Sequence, residues 1–317
     1  MLTNSNQSVH RAISWVPITF MFGLICNQTN ATNTLNVFAC EPEYASLTQI
    51  LTPKANIYSA TTAHQDPHLV QARPSLIAKM RGADLAVCAG ADLEVGWLPM
   101  LQMKSANPKV QNGQQGLFFA AENVPTLDKI DKVDRSMGDV HAKGNPHVHF
   151  DPTLALSIAR KLTDRLIAVD PLNKVSYQQN FNHFEPQWLA FIKELKKSAS
   201  RLKGQKVIAY HSNFRYLFNW LGIDQIADLE PKPGLPPTSR HLTDLLEIAK
   251  NNEVKAIVIS NYQSERGAKW LSEKTNIPIL VLPSTVGGNE NSADLFALYQ
   301  SAVDLLLEQI DVTHYES

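Results

Sequence analysis

The chain has 317 residues, which is long for one ordinary core, so length favours two domains of roughly 100–200 residues each. Its 44% hydrophobic and 19% charged residues are those of a globular protein, and 29 basic against 30 acidic residues leave a formal net charge of -1. That balance argues against the broad basic surface that nucleic-acid binding needs, so no nucleic-acid partner is expected.

In chain order, His10 and Arg11 precede an apolar run over residues 12–26, "AISWVPITFMFGLIC". It is too short for a spanning helix. Followed by polar "NQTNA" with small residues near Ala31, it fits a secretory signal over residues 1–31, and export follows from it; a buried helix is the other reading. "GLIC" lacks the small residues expected before a lipid-modified cysteine. From Leu35 onward short apolar runs alternate with helical patterns: "LNVFAC", "EYASLTQIL", "RPSLIAKMRGA" with its proline at a helix start, "DLAVCAG", "GLFFAA". The rhythm returns in "KVIAYH", "VKAIVIS" and "IPILVLP". Strands alternating with helices imply mainly parallel sheets flanked by helices. Cys40 and Cys88 end two of these strands. In an oxidising compartment they would form a disulfide if the strands are neighbours, and otherwise stay as buried thiols.

Between the two α/β regions, Asp170 before Pro171 reads as a helix cap. Apolar residues then recur at Val175, Tyr177, Phe181, Phe184, Trp188, Phe191 and Leu195, close to a 3.6 period. Pro186 falls inside this pattern and is expected to kink or interrupt the helix. The expected fold is α/β with two lobes joined by a long connecting helix: an N-terminal lobe over 32–171, the helix over 172–202 and a C-terminal lobe over 203–317. Two lobes leave a cleft between them.

Three histidines stand where strands or loops meet helices: His68 in "TTAHQDPH", His147 in "GNPHVHFDP" and His211 after "KVIAY". The carboxyl ends of strands are where open α/β sheets bind ligands, and Pro67 and Pro146 pre-set the backbone before two of the three. Neutral imidazole is a favoured zinc ligand. A lone histidine at a strand end is nevertheless more often a hydrogen-bonded structural residue.

Six motifs, taken in order, carry a resemblance. "DPHLVQARPS" with "ADLAVCAGADLE", "NPHVHFDP", "DPLNKVSYQQNF", "VIAYHSNFRYLFNWLG" and "SEKTNIPILVL" resemble the zinc- or manganese-binding solute-binding proteins of bacterial ABC transporters, over nearly the whole chain from Leu35. "CEPEYASL", "DLEVGWLP", "GDVHAKGNPH" and "PSTVGGNENSADLF" look like a periplasmic zinc-binding branch of that family. The resemblance implies His68, His147 and His211 as metal ligands. It also implies capture of Zn2+ in the periplasm, delivery to an ABC permease in the inner membrane, possible loading by a periplasmic zinc metallochaperone, and a monomer.

The fourth ligand is where the sequence departs from the pattern. Many relatives carry an aspartate in a Leu-Asp-Pro context after the last strand, but here the chain reads Leu282-Pro283-Ser284. The following loop offers Glu290 and Asp294. Asp294 is favoured, with helix capping as its alternative role and a water ligand as the alternative for the site. His64, His141 and His149 are accessory candidates near the ligands, while His183, His241 and His314 read as surface. Three imidazoles with at most one carboxylate suit zinc better than manganese. No His-Glu-x-x-His pair, Gly-x-Ser-x-Gly elbow or phosphate-cradling loop is present, so a zinc hydrolase is less favoured than a binding protein. Manganese or another divalent metal with an adhesin-like role is the remaining alternative.

Overall fold

The computed structural model describes residues 1–4, 34–130, 137–138 and 141–315, with side chains to residue 310. Apart from residues 1–4, the expected signal segment lies outside the described residues, as does the side chain of His314. Residues 34–317 form one compact unit. Among the described residues no helix is long and apolar enough to cross a membrane.

Strands β1 (Asn36–Ala39), β2 (Asn56–Ser59), β3 (Leu85–Cys88) and β4 (Leu117–Phe119) form a parallel sheet in the order β2-β1-β3-β4. Strands β5 (Lys206–Ala209), β6 (Asp224–Asp228), β7 (Val254–Ser260) and β8 (Ile279–Leu282) form a second parallel sheet in the order β6-β5-β7-β8. Every residue of β3 and all but the first of β1 are buried, as expected of parallel strands covered on both faces. Helices α1 (Pro42–Leu51), α2 (Pro74–Arg81) and α3 (Leu98–Ser105) flank the first sheet, and α6 (Arg215–Leu221), α7 (Ser239–Lys250) and α8 (Arg266–Thr275) the second. Proline at the first turn starts α1, α2 and α3, where its missing N–H costs no helical hydrogen bond.

Helices α4 (Pro152–Val169), α5 (Lys174–Ser198) and α9 (Leu295–Tyr315) complete the fold. Asp151 caps α4: its carboxylate accepts from the Thr153 N–H at 2.8 Å and the Leu154 N–H at 3.3 Å. Asp170 differs from its expected capping role. Its carboxylate accepts from the Tyr177 hydroxyl and from Asn173 Nδ2, which turns the chain from α4 into the 3-10 turn Pro171–Asn173 ahead of α5. Helix α5 runs through Pro186 without interruption. Buried Phe181, Phe184 and Trp188 bracket the proline, and the Trp188 ring meets Phe296 and Tyr299 of α9 at 4.8 and 5.4 Å. That packing outweighs the one lost helical hydrogen bond. Val175 is an exception to the predicted apolar stripe, being 66% exposed on the first turn of α5.

One hydrophobic cluster runs without a break from Val37 and Val87 of the first sheet through Trp188 to Val207 and Val258 of the second. Side chains also tie the sheets' loops together: Asn261 Nδ2 donates to the Ala63 carbonyl at 2.6 Å, and Thr285 donates to Glu43. Cys40 and Cys88 sit at the ends of neighbouring parallel strands with Cα atoms 4.8 Å apart, and their sulfurs are bonded. The open alternatives for these thiols resolve to a disulfide.

Candidate metal site

His68, His147 and His211 converge between the carboxyl ends of the two sheets. Each offers a ring nitrogen, and these atoms lie within 4.8 Å of one another. The ring centroids are 5.7 Å apart for His68 and His147, 5.9 Å for His68 and His211, and 5.8 Å for His147 and His211.

Local structure aims each ring. His68 follows β2 in a loop where Asp66 Oδ1 accepts both the His68 backbone N–H, at 2.9 Å, and ring Nδ1, at 2.8 Å. The indole of Trp97 donates to the Pro67 carbonyl at 2.9 Å and pins the same loop. His147 precedes the short 3-10 turn Val148–Phe150 that leads into α4. Its backbone N–H donates to Asn145 Oδ1 at 3.0 Å, and Asn145 Nδ2 donates to the Ser212 carbonyl at 2.8 Å. His211 ends the β5 segment, and its Nδ1 meets Glu230 Oε2, from the loop after β6, at 2.8 Å.

With Nδ1 of His68 and His211 each turned to a carboxylate, which only accepts, the neutral rings carry their lone pairs on Nε2. Holding the second ring nitrogen on an oxygen acceptor is how proteins orient and strengthen imidazole ligands. His147 Nε2 is buried and, among the described residues, has no hydrogen-bond partner. Leaving such an atom unpaired is costly unless a cation takes its lone pair. Burial first, then the neighbouring His68 and His211, hold His147 well below the usual imidazole range, so the ring stays neutral as ligation requires. Burial alone would raise the Asp66 carboxyl, but hydrogen bonds and charge from His68 hold it below its ordinary value. An anionic Asp66 and Glu230 behind two ligands would balance the charge of one divalent cation. The cleft in front, about 280 Å³, is lined by Asp66, His68, Tyr210, His211, Glu230 and Tyr262.

The other predicted residues fall in varied places. Asp294 is exposed and stands outside the histidine group; its Oδ1 accepts from the Ala297 N–H at 2.9 Å, capping α9. In this structure the loop brings the Asp294 carboxylate to the helix end, the capping role that was its alternative, and not beside the three histidines. Glu290 is also exposed and apart from the group. His64 is exposed, with Nδ1 3.3 Å from Asn261 Nδ2. His149 is buried, its Nδ1 3.2 Å from Glu43 Oε1 and its Nε2 3.3 Å from the Ser284 carbonyl. His141 stands against the group, with Nε2 3.3 Å from His68 Nε2 and the two rings stacked at 5.4 Å. Burial and the neighbouring His68 and His211 push its pKa down to about 4. His183 is exposed as expected, whereas His241 is half-buried and its Nε2 bonds the Asp228 carbonyl at 2.8 Å.

Sequence reading gave no role to Asp66, although it stands inside the "DPH" motif, nor to Glu230 in "DLEPKPG". An acid two residues before a ligand histidine was a usable signal. Glu230 carried none, since its link to His211 exists only once β5 and β6 pair. A buried acidic group was also missed. Burial and the charges of Glu94 and Glu43 raise Glu41 well above the usual carboxylate range, and burial raises Glu94 to about 7.

Residues 37–310 match the family described as zinc-uptake complex component A, periplasmic, or ZnuA. The chain belongs to the ZnuA family. Among curated relatives, the manganese ABC transporter substrate-binding lipoprotein PsaA of Streptococcus pneumoniae is 25% identical over 83% of this chain and 85% of its own length. The high-affinity zinc uptake system protein ZnuA of Bacillus subtilis is 23% identical over 85% of this chain and 83% of its own. A crystal structure of a ZnuA superposes with a TM-score of 0.71 at 19% identity, covering 89% of this chain and 99% of that one. Membership in the ZnuA family and the two-sheet fold with its long helix thus agree with the sequence-based expectation.

Proposed function

We propose that this member of the ZnuA family captures zinc between its two lobes in the periplasm and delivers it to an ABC permease in the inner membrane. The observation that supports this best is the convergence of His68, His147 and His211, with His147 Nε2 buried and unpartnered. An all-nitrogen donor set suits zinc and fits manganese poorly, since manganese prefers oxygen. Related proteins bear zinc in one name and manganese in another, so the reading rests on donor chemistry. His68, His147 and His211 supply ligands, while Asp66 and Glu230 hold two of the rings and offset the cation's charge.

The role is binding and release rather than catalysis. The two carboxylates nearest the ligands are committed to imidazoles, and relatives of this chain are named as substrate-binding proteins of transporters. Export by the N-terminal segment would place the chain beside its permease, and the lobes over 32–171 and 203–317 act as a monomeric clamp around residues 172–202. A zinc metallochaperone is a further candidate partner. Calorimetric titration of the metal-free protein with zinc and with manganese tests the reading. Zinc should bind at least about 100-fold more tightly; equal affinities, or no zinc binding, would overturn it.

A further inference from the structure

The three-histidine group leaves one corner of a tetrahedron to be filled, and the carboxylate expected there caps a helix instead. We propose that His141 is the fourth ligand, so that this chain holds zinc with four imidazoles. The inference rests on the zinc reading above and deepens it.

The first argument is a distance. Zinc-to-nitrogen bonds of about 2.0–2.1 Å in a tetrahedron place neighbouring ligand atoms about 3.3–3.4 Å apart. His141 Nε2 stands 3.3 Å from His68 Nε2. The second argument concerns protons. Asp66 takes the proton-bearing Nδ1 of His68, so the neutral ring presents a bare lone pair on Nε2 toward His141. The Ala91 carbonyl also engages the His141 ring. His141 Nε2 is therefore either a donor to the His68 lone pair or, with its own proton on Nδ1, a second lone pair that one cation can share with His68.

The third argument is the backbone that carries His141. The Gly144 N–H donates to the His141 carbonyl at 3.0 Å, the Ile130 N–H to Ala142 at 3.4 Å, and the Thr126 hydroxyl to Lys143 at 2.7 Å. Gly144 closes this turn at φ +100, and a Cβ there would come within 2.5 Å of Thr126 Oγ1 and 2.6 Å of the Leu127 carbonyl. The turn is therefore docked against residues 126–130 and fixes the side on which His141 reaches His68. On the other side, Ala91 and Asp92 adopt positive φ values of 47° and 67°, which L residues rarely hold. His141 meets the group through the His68 corner and stands outside the set of three whose ring nitrogens lie within 4.8 Å, so four-imidazole ligation requires it to move toward His147 and His211.

The test is zinc-edge X-ray absorption on the metal-loaded full chain, which counts imidazoles, together with competition titration of zinc into wild type, His141→Gln and His211→Ala. Four imidazoles in wild type, three in His141→Gln and an affinity loss of about 100-fold support the proposal. Three in wild type, or an unchanged count in His141→Gln even with weaker binding, overturn it while leaving the transport reading intact. A wild type that takes up no zinc overturns both. Should His141→Gln lack a cooperative melt, the wild-type count decides alone.

Discussion

The two halves of the chain build the same sheet, with β2-β1-β3-β4 in one matching β6-β5-β7-β8 in the other, yet matching strand ends carry different chemistry. The first central strand, β1, is followed by disulfide-bonded Cys40 and buried Glu41, whereas its counterpart β5 is followed by Tyr210 and the proposed ligand His211. The loop after β2 supplies both His68 and its carboxylate Asp66; the loop after β6 supplies only the carboxylate Glu230, for a histidine on the neighbouring strand. The shared scaffold thus fixes where side chains converge and leaves their identity open. One ligand–carboxylate pair is local in sequence, and the other exists only through strand pairing.

The comparison breaks most directly at His211, the one ligand that follows the second sheet's strands. His211→Ala should weaken zinc binding by orders of magnitude in competition titrations while the thermal melt stays cooperative. Near-normal affinity would remove the second sheet from the site. Next in size is the disulfide, which closes 48 residues across the first sheet only. The Cys40→Ser, Cys88→Ser double variant should lose roughly 2–4 kcal/mol of stability in denaturant unfolding. An unchanged midpoint would show that the first half does not depend on the bond.

The two carboxylates sharpen the contrast further. Asp66→Asn keeps an Oδ1 that can accept both His68 N–H groups, so zinc affinity should fall by about tenfold. Glu230→Gln weakens a contact that spans two elements, and its loss should approach about 100-fold. The reverse order, measured by calorimetry, would put the burden on the local pair. The last effect is in the metal-free state. Folding lowers the His141 pKa to about 4 from an ordinary value of about 6.5. Between those values the unfolded chain binds the extra proton, so this contribution is constant above about pH 6.5 and lost as pH falls toward about 4. Wild type should therefore lose stability relative to His141→Gln over that window in paired melts, and a constant difference would contradict the depressed value.

Much of the fold was legible because buried parallel strands announce themselves as short apolar runs, as in "DLAVC" and "VKAIVIS", and because proline marks the starts of α1 and α2. The run through Pro186 was not legible, because its continuity depends on Phe296 and Tyr299 packing on Trp188 from α9, more than a hundred residues away. The three histidines stood out through motifs spread along the chain. The place of Asp294 was not legible because "SADLF" fits a ligand and a helix cap equally well, and only the loop's path brings it to the helix end. His149 likewise became a buried partner of Glu43 through contacts from a distant helix.

The continuous core bears on which corner of the proposed site is held most firmly. The Tyr216 hydroxyl donates to the Asn145 carbonyl at 2.7 Å and accepts from the Leu127 N–H at 2.9 Å, so the segment before His147 is stitched to α6, just beyond His211. His147 and His211 are fastened to one another's surroundings, while the His68 ring keeps the larger exposure, 17% against 10% for His211. On the proposed metal-binding reading, the His68 corner is the one an outside donor reaches first, and His147 and His211 would let go only with the segment that joins them.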